Sequence, residues 1–139
     1  MQLLLTALCE DARPDAMGRL DVHGIFNELY APGFPATQDK MVLVLVIEWD
    51  HDDHGRFQFR VDLVSPTGQP CLTVSGHTDV DARTPDRPPP QTRLVMPLEG
   101  TIFPAPGRYE TRVQIKGHTH PGPPLHVLEA DVPAAPFEA

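Results

Sequence analysis

Arg56-Phe-Gln-Phe-Arg-Val-Asp-Leu63 alternates without a break: Phe57, Phe59, Val61 and Leu63 are apolar, and Gln58, Arg60 and Asp62 between them are polar. Successive side chains of a strand point to opposite faces, so a period of two predicts a β-strand with one face in a core and the other in water. Arg108-Tyr-Glu-Thr-Arg-Val-Gln-Ile-Lys116 repeats the pattern, with Tyr109, Thr111, Val113 and Ile115 inward and Glu110, Arg112, Gln114 and Lys116 outward. The outward residues carry both signs, which suits cross-strand pairing and solubility better than binding. Met41-Val-Leu-Val-Leu-Val-Ile47, leading into Glu48 and Trp49, is apolar on both faces and rich in β-branched residues. It is expected at the centre of a sheet, beneath another layer.

Working outward, further strands are expected at Leu3–Cys9, Leu20–Tyr30, Pro70–Thr78, Thr92–Glu99 and Leu125–Val132, about eight in all. Asp50-His-Asp-Asp-His-Gly55 reads as a hairpin loop and Ser65-Pro-Thr-Gly68 as a turn. Thr84-Pro-Asp-Arg-Pro-Pro-Pro90 is too proline-dense to pair and reads as an extended crossover. Pro104-Ala-Pro-Gly107 launches the Tyr109 strand, and a short helical turn is possible only near Glu10–Met17, where Pro14 keeps it brief. The fold class expected is an all-β sandwich, immunoglobulin-like in general architecture, of mostly antiparallel strands. One domain spans residues 1–132, followed by a loose tail at 133–139.

Composition excludes several alternatives. Seventeen prolines and ten glycines among 139 residues rule out an all-helical fold, since proline costs about 3 kcal/mol in a helix interior. Eleven basic against nineteen acidic residues, a formal charge of -8, disfavours nucleic acid or an anionic membrane as partner. The longest apolar run, Met41–Ile47, is too short to cross a bilayer, and the opening segment lacks the basic residue of an export signal. Cys9 and Cys71 are read as reduced, buried thiols, which with the absence of a signal suggests the cytoplasm. Nine of the eleven basic residues are arginine, a hint of a GC-rich bacterial genome.

Chemistry has few footholds. His51 and His54 lie among Asp50, Asp52 and Asp53, and His118 and His120, two apart, project to one side of an extended segment. These four histidines are the candidate ligands for a transition metal, and no other cofactor is expected; Asp, His and Gly are also ordinary turn formers. Ser75 beside His77 has no third group to orient a base, and Cys71 has no local cation to lower its pKa. No catalytic residue is assigned. Tyr30-Ala-Pro-Gly-Phe-Pro-Ala36 places two aromatics in a stiff loop, which makes Tyr30 and Phe34 the candidate binding residues, with Phe34 as a plug for the end of the sandwich the competing reading. An unpaired sheet edge offers a second route to association, including self-association into a homo-oligomer.

Leu3-Leu-Leu-Thr-Ala-Leu-Cys9, Asp11-Ala-Arg13, Gly18-Arg-Leu-Asp-Val22 with Gly24, Tyr30-Ala-Pro-Gly-Phe-Pro35 and the strand ending in Trp49 together resemble a bacterial family of small single-domain proteins of unknown function. Phe103-Pro-Ala-Pro-Gly-Arg-Tyr109 and Gly117 extend the likeness to the C-terminal half. The resemblance implies a single β-sandwich domain and carries over no activity. The function expected is a non-enzymatic binding or assembly module acting through loops and sheet edges on a protein partner or itself. The alternative is a small metal-binding protein or metal-dependent enzyme built on the histidine and aspartate loops.

Overall fold

The alternating segments form the strands expected of them and sort into two sheets. In the structure, a computed structural model that describes residues 1–130, the strands are β1 (Gln2–Pro14), β2 (Leu20–Ile25), β3 (Glu28–Ala31), β4 (Ala36–Glu48), β5 (Gly55–Val64), β6 (Pro70–Val80), β7 (Gln91–Phe103), β8 (Gly107–Ile115) and β9 (His118–Glu129). One sheet has the order β2-β1-β4-β7 and the other β3-β9-β8-β5-β6. Every pairing is antiparallel except that of β3 with β9, which is parallel. The expected tail at 133–139, with the last two residues of the expected strand Leu125–Val132, lies outside the described residues.

The core lies between the sheets and is built from alternate residues of both. Leu8, Met41, Leu43, Leu45, Ile47 and Phe103 come from the four-stranded sheet, and Val61, Leu63, Tyr109, Val113, Ile115, Leu125 and Val127 from the five-stranded one. β4 sits centrally, as its two-faced apolarity requires: Val42 and Val44, on its other face, are buried with Cys9 and Ala12 under Leu20, Val22 and Val95. Trp49, 2% exposed, stacks on Phe57 at 4.6 Å and donates from Nε1 to Thr92 Oγ1 at 2.8 Å.

Two local expectations are corrected. Glu10–Met17 contains no helical turn: β1 runs on to Pro14 and pairs with β2, and Asp15 closes the hairpin by accepting from the backbone N–H groups of Met17 and Arg19 through Oδ1. A side chain that satisfies two turn amides favours the turn over a helix. The single strand expected at Leu20–Tyr30 is two, because Phe26 turns in against the core while the chain crosses from one sheet to the other. This division makes nine strands among the described residues instead of about eight.

Tyr109 fixes the start of β8. Fully buried, it meets Phe103 edge-on at 5.1 Å, and its hydroxyl donates to the Ala105 carbonyl at 2.6 Å. Burial pushes the hydroxyl's pKa up, so it stays a donor. Tyr109→Phe keeps the ring and orphans the carbonyl, and should cost about 1–2 kcal/mol in urea unfolding. No change in midpoint would mean that water replaces the hydroxyl.

Candidate binding surface

Three connections meet at one end of the sandwich. Lys116, in the β8–β9 turn, donates to Asp53 Oδ2 at 2.9 Å and to Asp50 Oδ2 at 3.4 Å in the β4–β5 loop. His51 Nε2 lies 2.8 Å from the Arg87 carbonyl, which ties the same loop to the proline-rich crossover. Asp53 and then Asp50 hold the Lys116 ammonium above the ordinary lysine pKa. The contribution of a raised lysine is complete below its unfolded-state value and is lost only as pH rises through the higher folded value, so the clamp is intact across the neutral range.

The β4–β5 loop and the β8–β9 turn therefore lie at one end, but the four histidines do not form one ligand set. His54 Nδ1 is spent on the Asp52 carbonyl at 3.1 Å. His118 begins β9 exposed, while His120, opposite Val113, turns inward and has Nε2 buried with no hydrogen-bond partner among the described residues. Among the described residues, the group of potential ligand atoms close enough to share an ion is Asp50, Asp52 and Asp53, without a histidine. Two of these three carboxylates already face the Lys116 ammonium.

The structure also separates the two aromatic candidates. Phe34 is half-buried and packs against the core, so its side chain is largely taken up by the fold. Tyr30 is 63% exposed on edge strand β3, directly opposite Leu128 of β9, and its hydroxyl donates to Glu28 Oε1 at 2.9 Å. Both thiols are free, Cys9 buried and Cys71 half-buried, and burial raises each pKa away from a reactive thiolate.

The outer face of the five-stranded sheet carries two depressions that the alternation within any one strand does not show. One, of about 550 Å³, is lined by Gln58, Arg60, Ser75, Gln114, Lys116 and Thr119. A second, of about 310 Å³, is lined by Arg108, Glu110, Arg112, Pro121, Gly122 and Pro124, and shares Thr119 with the first. The two adjoin at Thr119 and together make a groove of two depressions across β5, β8 and β9. Its floor follows from a register shift between Glu110 and Arg112, opposite Pro121 to Pro124. Prolines lack the N–H that a ladder needs, and β9 tolerates them there because β3 pairs only with His126–Glu129. At Gly122 the strands approach so closely that a Cβ would lie 2.9 Å from Thr111 Cβ.

The groove is cationic on an acidic chain. Of its lining residues, Arg60, Arg108, Arg112 and Lys116 are basic and Glu110 is acidic. Arg60 Nε reaches Asp62 at 3.2 Å, and Asp62, buried beneath it, also accepts from Thr73 Oγ1. Arg112 is 3.7 Å from Glu110. Arg108 joins no ion pair among the described residues.

Fold and surface together define a two-sheet β-sandwich with an arginine-lined groove on one outer face. Among the described residues, no helix is long and apolar enough to cross a membrane. The family of unknown function DUF6941 matches residues 4–128, and the chain belongs to that family. No curated protein matches the sequence.

Proposed function

We propose that this domain is a non-enzymatic binding or assembly module of the bacterial cytoplasm. It engages a protein partner, or a further copy of itself, through the outer face and open edge of the five-stranded sheet. The observation that carries the reading is the exposed pair Tyr30 and Leu128 at the β3 edge of the sheet whose outer face bears the arginine-lined depression. Aromatic and arginine side chains are those that interface centres favour, because they bury large areas while keeping a polar handle. β3 adds an edge whose outer backbone groups no strand among the described residues pairs. Free thiols held protonated by burial suit a reducing compartment.

The metal-centre alternative has less support, since Lys116 already supplies positive charge to Asp50 and Asp53. Affinity capture from source cells, with mass spectrometry and metal analysis of the same eluate, tests the reading. A Tyr30→Ala/Leu128→Ser variant should retain its fold and lose at least about tenfold of the captured partner, the usual effect of removing an interface anchor. Undiminished capture by the folded variant, or a metal-loaded protein without partner, would overturn it.

A further inference from the structure

We infer that the groove recognises an extended acidic polypeptide segment of the partner, with carboxylates four residues apart and a neutral or basic residue midway. The inference rests on the binding-module reading. Arg108 and Arg112 stand on the same face of β8, four residues apart, which at about 3.3 Å per residue is roughly 13 Å. A segment lying along β8 in the same extended conformation turns every second side chain toward the sheet. Its residues i and i+4 then fall over the two guanidiniums, and its residue i+2 falls over Glu110, midway between them.

The charge pattern of the groove thus selects both for and against. Guanidinium forks bind carboxylates with paired, charge-assisted hydrogen bonds, and Glu110 repels a third acid at the centre. Arg60, Gln58, Gln114 and Thr119 flank this line with further donors for the side chains or main chain of the segment. A nucleic acid is the poorer occupant. Its phosphates repeat along the whole strand, so one would lie against Glu110, and a chain of net charge -8 repels a dense polyanion at long range.

The test is a backbone-amide NMR titration of the whole chain with three short synthetic peptides: Glu at i and i+4 around a central Thr, Gln at both outer positions, and Glu at all three. The first peptide should shift the amides of Arg108, Arg112 and Thr119 and bind about tenfold more tightly than the Gln peptide, the loss expected on removing charge-assisted contacts. The all-Glu peptide should bind more weakly than the first. Arg108→Gln and Arg112→Gln, both exposed and checked by thermal melting, should each erase the preference for Glu over Gln.

Equal binding of the Glu and Gln peptides, shifts confined to another face, or an equivalent response to a short oligothymidylate would each overturn the inference. These outcomes are separable from failure of the binding-module reading. If the peptides leave the groove unmoved while Tyr30→Ala/Leu128→Ser still abolishes capture, acid recognition alone falls.

Discussion

Trp49→Ala is expected to destabilise the domain by about 3–5 kcal/mol, a large part of the 5–15 kcal/mol by which a domain of this size is ordinarily stable. The side chain is 2% exposed and stacked on Phe57 at 4.6 Å, and Trp49 N donates to the Pro90 carbonyl at 2.8 Å as the chain leaves β4. Truncation opens a cavity at the end of the sandwich and strips Thr92 Oγ1 of the indole donor. The surrounding strands are hydrogen-bonded and cannot collapse far into the space. Trp49→Phe should recover most of the loss, because it keeps the stacked ring. Since Trp49 is the one tryptophan of the chain, unfolding of both variants is best followed by far-ultraviolet circular dichroism in urea. A loss below about 1 kcal/mol for Trp49→Ala would show that the site is not packed as described.

The second large effect is expected at Gly107, the first residue of β8, where φ is 143° and an added Cβ would lie 2.6 Å from Pro66 Cγ. Side chains with a Cβ rarely occupy that backbone region, and the neighbour is a ring in the Ser65–Gly68 turn that has little freedom to yield. Gly107→Ala should therefore cost about 2–3 kcal/mol, from backbone strain together with the displaced turn. Pro66→Ala in the same chain should restore part of it, because the shorter side chain removes the close contact and leaves the strain. If Gly107→Ala proves neutral, the β5–β6 turn does not rest on the start of β8.

Both sites adjoin segments whose strand character was plain in the sequence, although the contacts were not. The alternation of Phe57 to Leu63 and of Tyr109 to Ile115, and the two-faced apolarity of Met41–Ile47, predicted three strands in their correct faces and one as central. Phe26 was unreadable as a boundary: an apolar residue between two strand-like stretches looks the same whether the chain continues or crosses to the other sheet. β9 was seen only from Leu125 onward, because Pro121, Pro123 and Pro124 argue against a strand in general. They are compatible with one whose other side is unpaired at that point, and strand order alone decides that.

The candidate surface was legible in its residues and illegible in its meaning. Glu110, Arg112 and Gln114 were correctly turned outward, but one strand shows no groove and no local balance of charge. Only when β5, β8 and β9 are adjacent do the depression beside Arg60 and the one beside Arg108 and Arg112 adjoin at Thr119. Likewise Tyr30 and Phe34, four residues apart in one apparent loop, part company because the first lies on an edge strand and the second leans into the core.

By itself the sequence determined the class of this protein, an all-β fold with a proline-rich crossover, because side-chain period and turn chemistry act over a few residues. The tertiary structure decided which strands are neighbours, which carboxylates Lys116 holds, and where basic residues gather on an acidic chain. Those are pairings between distant residues, set by how two sheets bury one core, and no local pattern encodes them.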